Sequence, residues 1–314
     1  MKKTLLALTV ATVATSAQAK FDLYKDDVKS VNLKGEIDVN LYLVDEKTKD
    51  NIVTKDEDVY VDTWAYFEFG IEHKFSDTVT GFASFEVETS KSDAVFDDVY
   101  AGITGDFGTI KGGETADSLS VVGYMTDISN NGAWAYDSNI ESKGRGLRYE
   151  KSVGDFYFST DLQTTKDADD EINVGVSYSF EKVTLAAAFS EGGDNVGSAA
   201  IGASYENGGF YLAALYGAFE GGYQKVGALF EGADYEKGDF YGLAASYSVH
   251  DFRVYTTFAG ASDDNSANDA FASSVGIDYT VLGDVTVYAE YTGFTDDAEE
   301  QTGDIAVVGV FYAF

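Results

Sequence analysis

From Val31 onward apolar and polar residues alternate, and the alternation returns along almost the whole chain. Val31, Leu33, Ile37, Val39, Leu41 and Leu43 share one parity; Asn32, Lys34, Glu36, Asp38 and Asn40 share the other. A period of two puts these sets on opposite faces of a β-strand. Val59, Val61, Ala65, Phe67, Phe69 and Ile71 repeat the pattern against Tyr60, Asp62, Trp64, Tyr66, Glu68 and Glu72. Continued, it predicts sixteen strands, at about 31–44, 59–75, 79–89, 94–105, 108–114, 144–151, 154–163, 172–180, 183–190, 198–206, 209–217, 240–249, 252–260, 272–281, 284–293 and 305–314.

The connections alternate as well. Glu181-Lys182, Asn207-Gly208, His250-Asp251 and Leu282-Gly283 are tight turns, whereas Asp45–Asp58, Thr164–Glu171, Glu191–Gly197, Ala218–Asp239, Ala261–Phe271 and Thr295–Asp304 are long and polar. Short turns on one rim and long loops on the other are the plan of a transmembrane antiparallel β-barrel. A lipid face should lack charge, because Lys or Arg at the midplane costs roughly 2–4 kcal/mol. Apart from Asp97, next to Asp98 in the strand at 94–105, the apolar parity of the sixteen strand cores holds no Asp, Glu, Lys or Arg. The opposite parity holds thirteen acids: Glu36, Asp38, Asp62, Glu68, Glu72, Glu86, Glu88, Asp98, Glu150, Asp161, Glu206, Asp278 and Glu290. It also holds four bases, Lys34, Lys111, Arg148 and Arg253. A soluble sandwich would close its apolar parity into a bulky core, but Ala and Gly are frequent there; sixteen strands instead enclose a water-filled lumen.

The ends of the chain agree with this plan. Lys2 and Lys3, an apolar stretch from Thr4 to Val13, and Ala17-Gln18-Ala19 read as a secretory signal peptide over 1–19, cleaved after Ala19, leaving 20–314 as the barrel. At the other end Val308, Val310, Tyr312 and Phe314 share a face that finishes on an aromatic. Val307, Gly309 and Phe311 leave the last strand apolar on its other face too, a composition that suits a subunit interface.

Composition removes other classes. Acids outnumber bases 54 to 21, a formal charge of −33 that repels nucleic-acid phosphate. There is no cysteine for a disulfide scaffold and no run of about 20 apolar residues for a spanning helix. The two histidines, His73 and His250, fall at strand ends or turns, too far from the outer side to act as a barrel hydrolase's base. No nucleophile motif or Walker loop occurs, so an enzyme is not expected and no cofactor is implied. Acidic outer-loop clusters, Asp167–Glu171, Asp263–Asn265 and Asp296–Glu300, match no EF-hand; they read as a solvated acidic surface, the functional alternative being loose Ca²⁺ or Mg²⁺ bridging to anionic lipopolysaccharide.

Four pieces carry a family resemblance: Val310–Phe314; Phe107–Asp117 with its Gly112-Gly113; Gly144-Arg145-Gly146-Leu147-Arg148-Tyr149; and Gly209–Tyr216 before a long loop. Together they resemble the sixteen-stranded general diffusion porins of Gram-negative outer membranes. The resemblance implies homotrimers in the outer membrane, passive diffusion of small hydrophilic solutes, and a long loop 3 folded into the lumen as a constriction. Thr115–Lys143, with Gly123–Asp127, takes that loop's place. It also implies that Phe314 is an assembly signal read by the barrel-insertion machinery. The family's proline-containing loop motif is missing, because the chain has no proline. Glu36 and Glu114 stand where the family usually carries bases, and the connection at Ser90–Asp93 is short for the family's latching loop.

The expected function is therefore a water-filled channel. Glu36, Asp38, Glu68, Glu114, Asp117 and Asp127 form its acidic lining, and Lys34, Lys111, Arg148 and Arg253 its basic side. Asp137 and Glu141 add to the acids of the loop, against Lys143. Negative potential focused in a narrow pore concentrates cations, so cation selectivity is expected. Two rivals remain. A substrate-specific channel would use inward aromatics such as Tyr42, Tyr60, Trp64 and Tyr66 and would show saturable block; a plugged barrel acting as an adhesin or structural protein would not conduct.

Overall fold

In a computed structural model of the protein, the described residues are 20–48, 53–90, 93–130, 135, 146–164, 169–193, 196–221, 236–264, 269–297 and 301–314. Residues 1–19 lie outside them, as do Asp137, Glu141, Lys143, Gly144 and Arg145 and parts of the three acidic loop clusters. The strands are β1 Phe21–Lys25, β2 Lys29–Thr48, β3 Val53–Lys74, β4 Val79–Ser90, β5 Asp93–Gly105, β6 Gly108–Gly113, β7 Gly146–Val153, β8 Phe156–Gln163 and β9 Glu171–Phe180. They continue as β10 Val183–Glu191, β11 Gly197–Asn207, β12 Phe210–Glu220, β13 Lys237–Val249, β14 Phe252–Asp263, β15 Asp269–Leu282, β16 Val285–Asp296 and β17 Gln301–Ala313. From β2 to β17 each strand pairs antiparallel with the next, and β17 pairs back onto β2 from Gln301↔Thr48 to Ala313↔Glu36. The result is the expected closed barrel of sixteen strands, in which each strand has a hydrogen-bonded neighbour on both sides, as a span through lipid requires.

The sequence pattern misses β1. This short strand pairs with the start of β2, Phe21 opposite Leu33 and Lys25 opposite Ser30. It occupies the place beside β2 that β17 leaves when it ends. Phe314 completes the seam: its N–H donates to the Gly35 carbonyl at 2.9 Å and its carbonyl accepts from the Gly35 N–H at 2.8 Å. Its ring meets Phe21 and Phe67 at centroid distances of 6.1 and 5.8 Å.

Tight turns gather on the rim that carries β1 and Phe314. Glu181 and His250 adopt left-handed φ values of 52° and 54° there. The outward parity is exposed and apolar, as in Leu41, Val61, Ile201, Leu243 and Val275, and aromatic pairs such as Phe252 with Tyr279 band the short-turn rim. This is the lipid belt and interfacial girdle of a membrane barrel.

Two local departures from strict alternation matter. Opposite Ser84 and Glu86, β5 carries an extra residue: Ser84 pairs with Tyr100 but Glu86 pairs with Asp97. Asp98 in this bulge has φ 50°, and a bulge re-aims the side chains beside it. The second departure is chemical. The inner parity of β10 to β14 is rich in small residues and poor in charge, with Ala186, Ala188, Ala200, Ala213, Ala244 and Ala259 all buried. On β17, the inner residues Val307 and Phe311 are buried against Tyr288, with Tyr42 packed beside them. Its apolar inner face is thus covered from within, and gives no surface to another subunit.

Candidate functional site

Residues 115–130 explain the small inner wall. Leu119, Val122, Met125 and Ile128 recur every third residue through tight turns such as Val122 N–H to Leu119 O and Met125 N–H to Val122 O. Within this stretch α1 is a single turn, Ser120–Gly123. A spacing of three lines side chains along one face of a tightly wound turn. All four are between 0% and 4% exposed and join one apolar cluster with the inner alanines of β10 to β15. Burying each contributes about 1.5–3 kcal/mol. The wall is cut back to receive them: a Cβ on Gly175 would lie 2.1 Å from the Ser118 carbonyl, and one on Gly202 would lie 2.7 Å from Met125 Sδ.

Polar wall residues secure the same segment along its length. At its start, Arg148 donates to the Ala116 carbonyl and, at 2.8 Å, to the Asp117 carbonyl. The Ser118 N–H donates to Asp161 Oδ1 at 2.5 Å. Tyr211 OH donates to the Met125 carbonyl at 2.8 Å. At its far end, Arg253 Nη1 donates to the Ile128 carbonyl at 3.0 Å, and the Asn130 N–H donates to Glu290 Oε2 at 2.9 Å. Tyr255 OH donates to the same Glu290 oxygen at 2.7 Å and accepts from Asn130 Nδ2 at 3.1 Å.

These contacts sort the expected lining residues into two groups. Arg148 and Arg253 are only 6% and 5% exposed. Arg148 faces Glu150 at 3.2 Å, and Arg253 grips Asp278 at 2.5 and 2.8 Å. Asp117 is buried, its carboxylate accepting from the Leu119 N–H at 3.0 Å as a turn cap. Glu114 accepts from the Val99 N–H at 2.9 Å while its own N–H donates to the Val99 carbonyl, so it pins the β5 bulge. Asp127 is half-buried near Tyr124, whose phenol is pushed above its usual value by burial first and by this carboxylate second.

The second group lies on the inner parity of β2 to β5. Lys34, Glu68, Glu86 and Asp97 stand opposite one another in one cross-strand row. Lys34 Nζ is 2.5 Å from Glu68 Oε2, and Glu68 also accepts from Ser84. The next rows hold Glu36 opposite Tyr66, with Glu88 beyond it, and Asp38 opposite Trp64. Trp64 Nε1 donates to Glu88 at 3.2 Å. Asp38 Oδ1 is enclosed with no hydrogen-bond partner among the described residues. Lys111 sits apart on β6, 5.2 Å above the Tyr100 ring and opposite Arg148.

Charge parity alone overlooks the neutral groups that hold the segment. Tyr211, Tyr255, Asn130 and Tyr157, which accepts from Arg148 Nη2 at 3.2 Å, carry no charge to flag them. The available signal is a tyrosine on the inner parity of a strand whose other inner residues carry no polar group, as Tyr211 is with Ala213, Leu215, Gly217 and Phe219.

Comparison with known proteins extends over nearly the whole chain. The profile of the Gram-negative porin family matches residues 4–313. A monosaccharide porin of Halomonas sp is 28% identical over 233 residues, which cover 69% of this chain and 59% of that protein. The major outer membrane protein of Halomonas elongata matches with the same identity and coverage. This chain therefore spans about 59% of the length of these relatives. Among solved structures, OmpF of Salmonella typhi, in complex with daunomycin, superposes with a TM-score of 0.77 at 19% identity, covering 94% of this chain and all of that one, 100%. OmpT of Vibrio cholerae lacking its loop L8 gives 0.72 at 14%, covering 92% and 100%. These structural likenesses establish the same fold.

Proposed function

We propose that this chain, which belongs to the Gram-negative porin family, is an outer-membrane channel for small hydrophilic solutes and ions that prefers cations. The observation that carries the preference is the inner wall of β2 to β5. There Glu36, Asp38, Glu68, Glu86, Glu88 and Asp97 outnumber the nearby bases Lys34, which already pairs with Glu68, and Lys111, which sits over Tyr100 of β5. In a narrow aqueous passage such a wall concentrates cations and excludes anions. The 115–130 segment, secured on the opposite side, supports the reading of loop 3 as a constriction facing these acids. Reversal potentials across planar bilayers under a potassium chloride gradient test the preference. A cation-selective potential is expected at about 0.1 M salt, shrinking near 1 M as the screening length falls from roughly 10 to 3 Å. Anion preference at about 0.1 M refutes the proposal.

A second reading is favoured by the aromatic pairs on the same wall. Tyr42 stacks on Tyr60 at 5.2 Å, and Trp64 lies 5.1 Å from Tyr66. Ring faces beside carboxylates are the surfaces a solute-specific channel would use, and one relative is named a monosaccharide porin. Saturable block of the ionic current by a monosaccharide supports that reading, and unchanged current rejects it. Homotrimeric assembly, cleavage after Ala19, recognition of Phe314 by the insertion machinery and divalent bridging to lipopolysaccharide complete the proposal, each resting on the family and on the sequence.

A further inference from the structure

We infer that Arg148 and Arg253 are positioning residues: their guanidiniums clamp the two ends of the 115–130 segment to the wall, and they set passage width rather than selectivity. The consequence for width rests on the channel reading; the clamp itself rests on contacts alone. Each guanidinium does two tasks at once. Arg148 serves Glu150 and Tyr157 on the wall and the Ala116 and Asp117 carbonyls of the segment. Arg253 serves Asp278 on the wall and, in the segment, the Ile128 carbonyl and Asn130 Oδ1, the last at 3.4 Å.

A planar fork of several N–H donors holds an acid and a carbonyl in fixed, separate directions, whereas an ammonium is a compact point charge on a flexible stem whose donors share one nitrogen. Lysine at either position would keep the charge and lose the bridge. The charge itself is hidden. Both side chains are about one-twentieth exposed and each lies against its own wall acid, so toward the lumen each pair presents a dipole and not a cation.

The chain has no cysteine, so one introduced thiol reports without background. Ser129 is the place for it, because it lies at the far end of the segment and its Oγ is enclosed. In the folded barrel Ser129→Cys should react slowly with a small water-soluble maleimide. Adding Arg253→Lys or Arg253→Gln should each speed labelling by roughly tenfold or more, the size expected for one lost charge-assisted hydrogen bond. Single-channel records of both should show altered conductance with frequent sublevels, while the reversal potential stays close to the parent's. Arg148→Lys should give the same conductance signature from the other end. The proposal is overturned if Arg253→Lys matches the parent in labelling and conductance while Arg253→Gln alone shifts the reversal potential; charge would then be the operative property. If the Arg253 variants do not assemble, Asp278→Asn weakens the wall's hold on the guanidinium without touching the segment and decides the question: faster labelling supports the clamp, and unchanged labelling overturns it. A barrel that labels as expected without conducting keeps the clamp and removes the channel reading.

Discussion

Replacing Gly276 by alanine should unlock the far end of the 115–130 segment from a position that never touches it. Gly276 lies on the inner parity of β15, directly across from Tyr255. A Cβ there would stand 2.1 Å from Tyr255 Cζ and 2.2 Å from its hydroxyl, so the ring cannot stay over an alanine. Leaving breaks three interactions. The hydroxyl loses Glu290, a bond to a charged acceptor contributing about 1.5–3 kcal/mol. It loses Asn130 Nδ2, about 1 kcal/mol. The ring also leaves Arg253, whose guanidinium carbon sits 4.5 Å from its centroid, for about 0.5–2 kcal/mol. The total is roughly 3–6 kcal/mol. Tyr255→Phe keeps the ring where it is and forfeits only the two hydroxyl bonds, roughly 2–4 kcal/mol. Urea unfolding in detergent should therefore rank Gly276→Ala below Tyr255→Phe, and both below the parent. The decisive measurement is a double-mutant cycle. In a Tyr255→Ala background no ring remains to displace, so adding Gly276→Ala should change stability little. If Gly276→Ala costs as much with the ring absent as with it present, the close approach is not the cause and the reasoning fails.

Removing two of the wall acids, as Glu36→Gln with Glu86→Gln, should lower the cation preference measured by reversal potential, whereas Arg148→Gln should shift it little because that charge is buried and paired. Deleting Phe314 removes both hydrogen bonds to Gly35 and the ring cluster at the seam; heat-resistant folded barrel on cold gels should fall markedly, and undiminished levels would count against the seam's importance. In the turn before β2, Asp26 is held at about 2, first by the Tyr24 hydroxyl and then by the Lys29 and Val28 N–H groups. Because this value is depressed, the turn's ordering is complete above the ordinary carboxylate value of 3.8 and is lost as pH falls through about 2. Hydrogen exchange at Val28 and Lys29 should keep its protection at pH 4 and lose it near the lower value, and Asp26→Ala should abolish the protection at both.

Much of this protein is written residue by residue. In a barrel wall each side chain faces either lipid or the interior, and that contrast is imposed locally by a period of two. The strand count, the parity of Leu41 or Ile201, and the rim of the tight turns follow from the chain read in order. The short strand β1 escaped because five residues beside a seam carry too little alternation to register. The chemistry of the passage is different in kind, because it depends on where residues 115–130 lie. Their partners are Arg148, Tyr211, Arg253 and Glu290, and the Asn130–Glu290 bond alone joins positions 160 apart. Parity places Arg148 and Glu36 alike on the inner face. Only the folded chain distinguishes them, burying the first beneath a loop while the second remains on the acidic wall of β2 to β5. A side chain's period tells which face it takes; whether its charge reaches water is decided by what else comes to rest on that face.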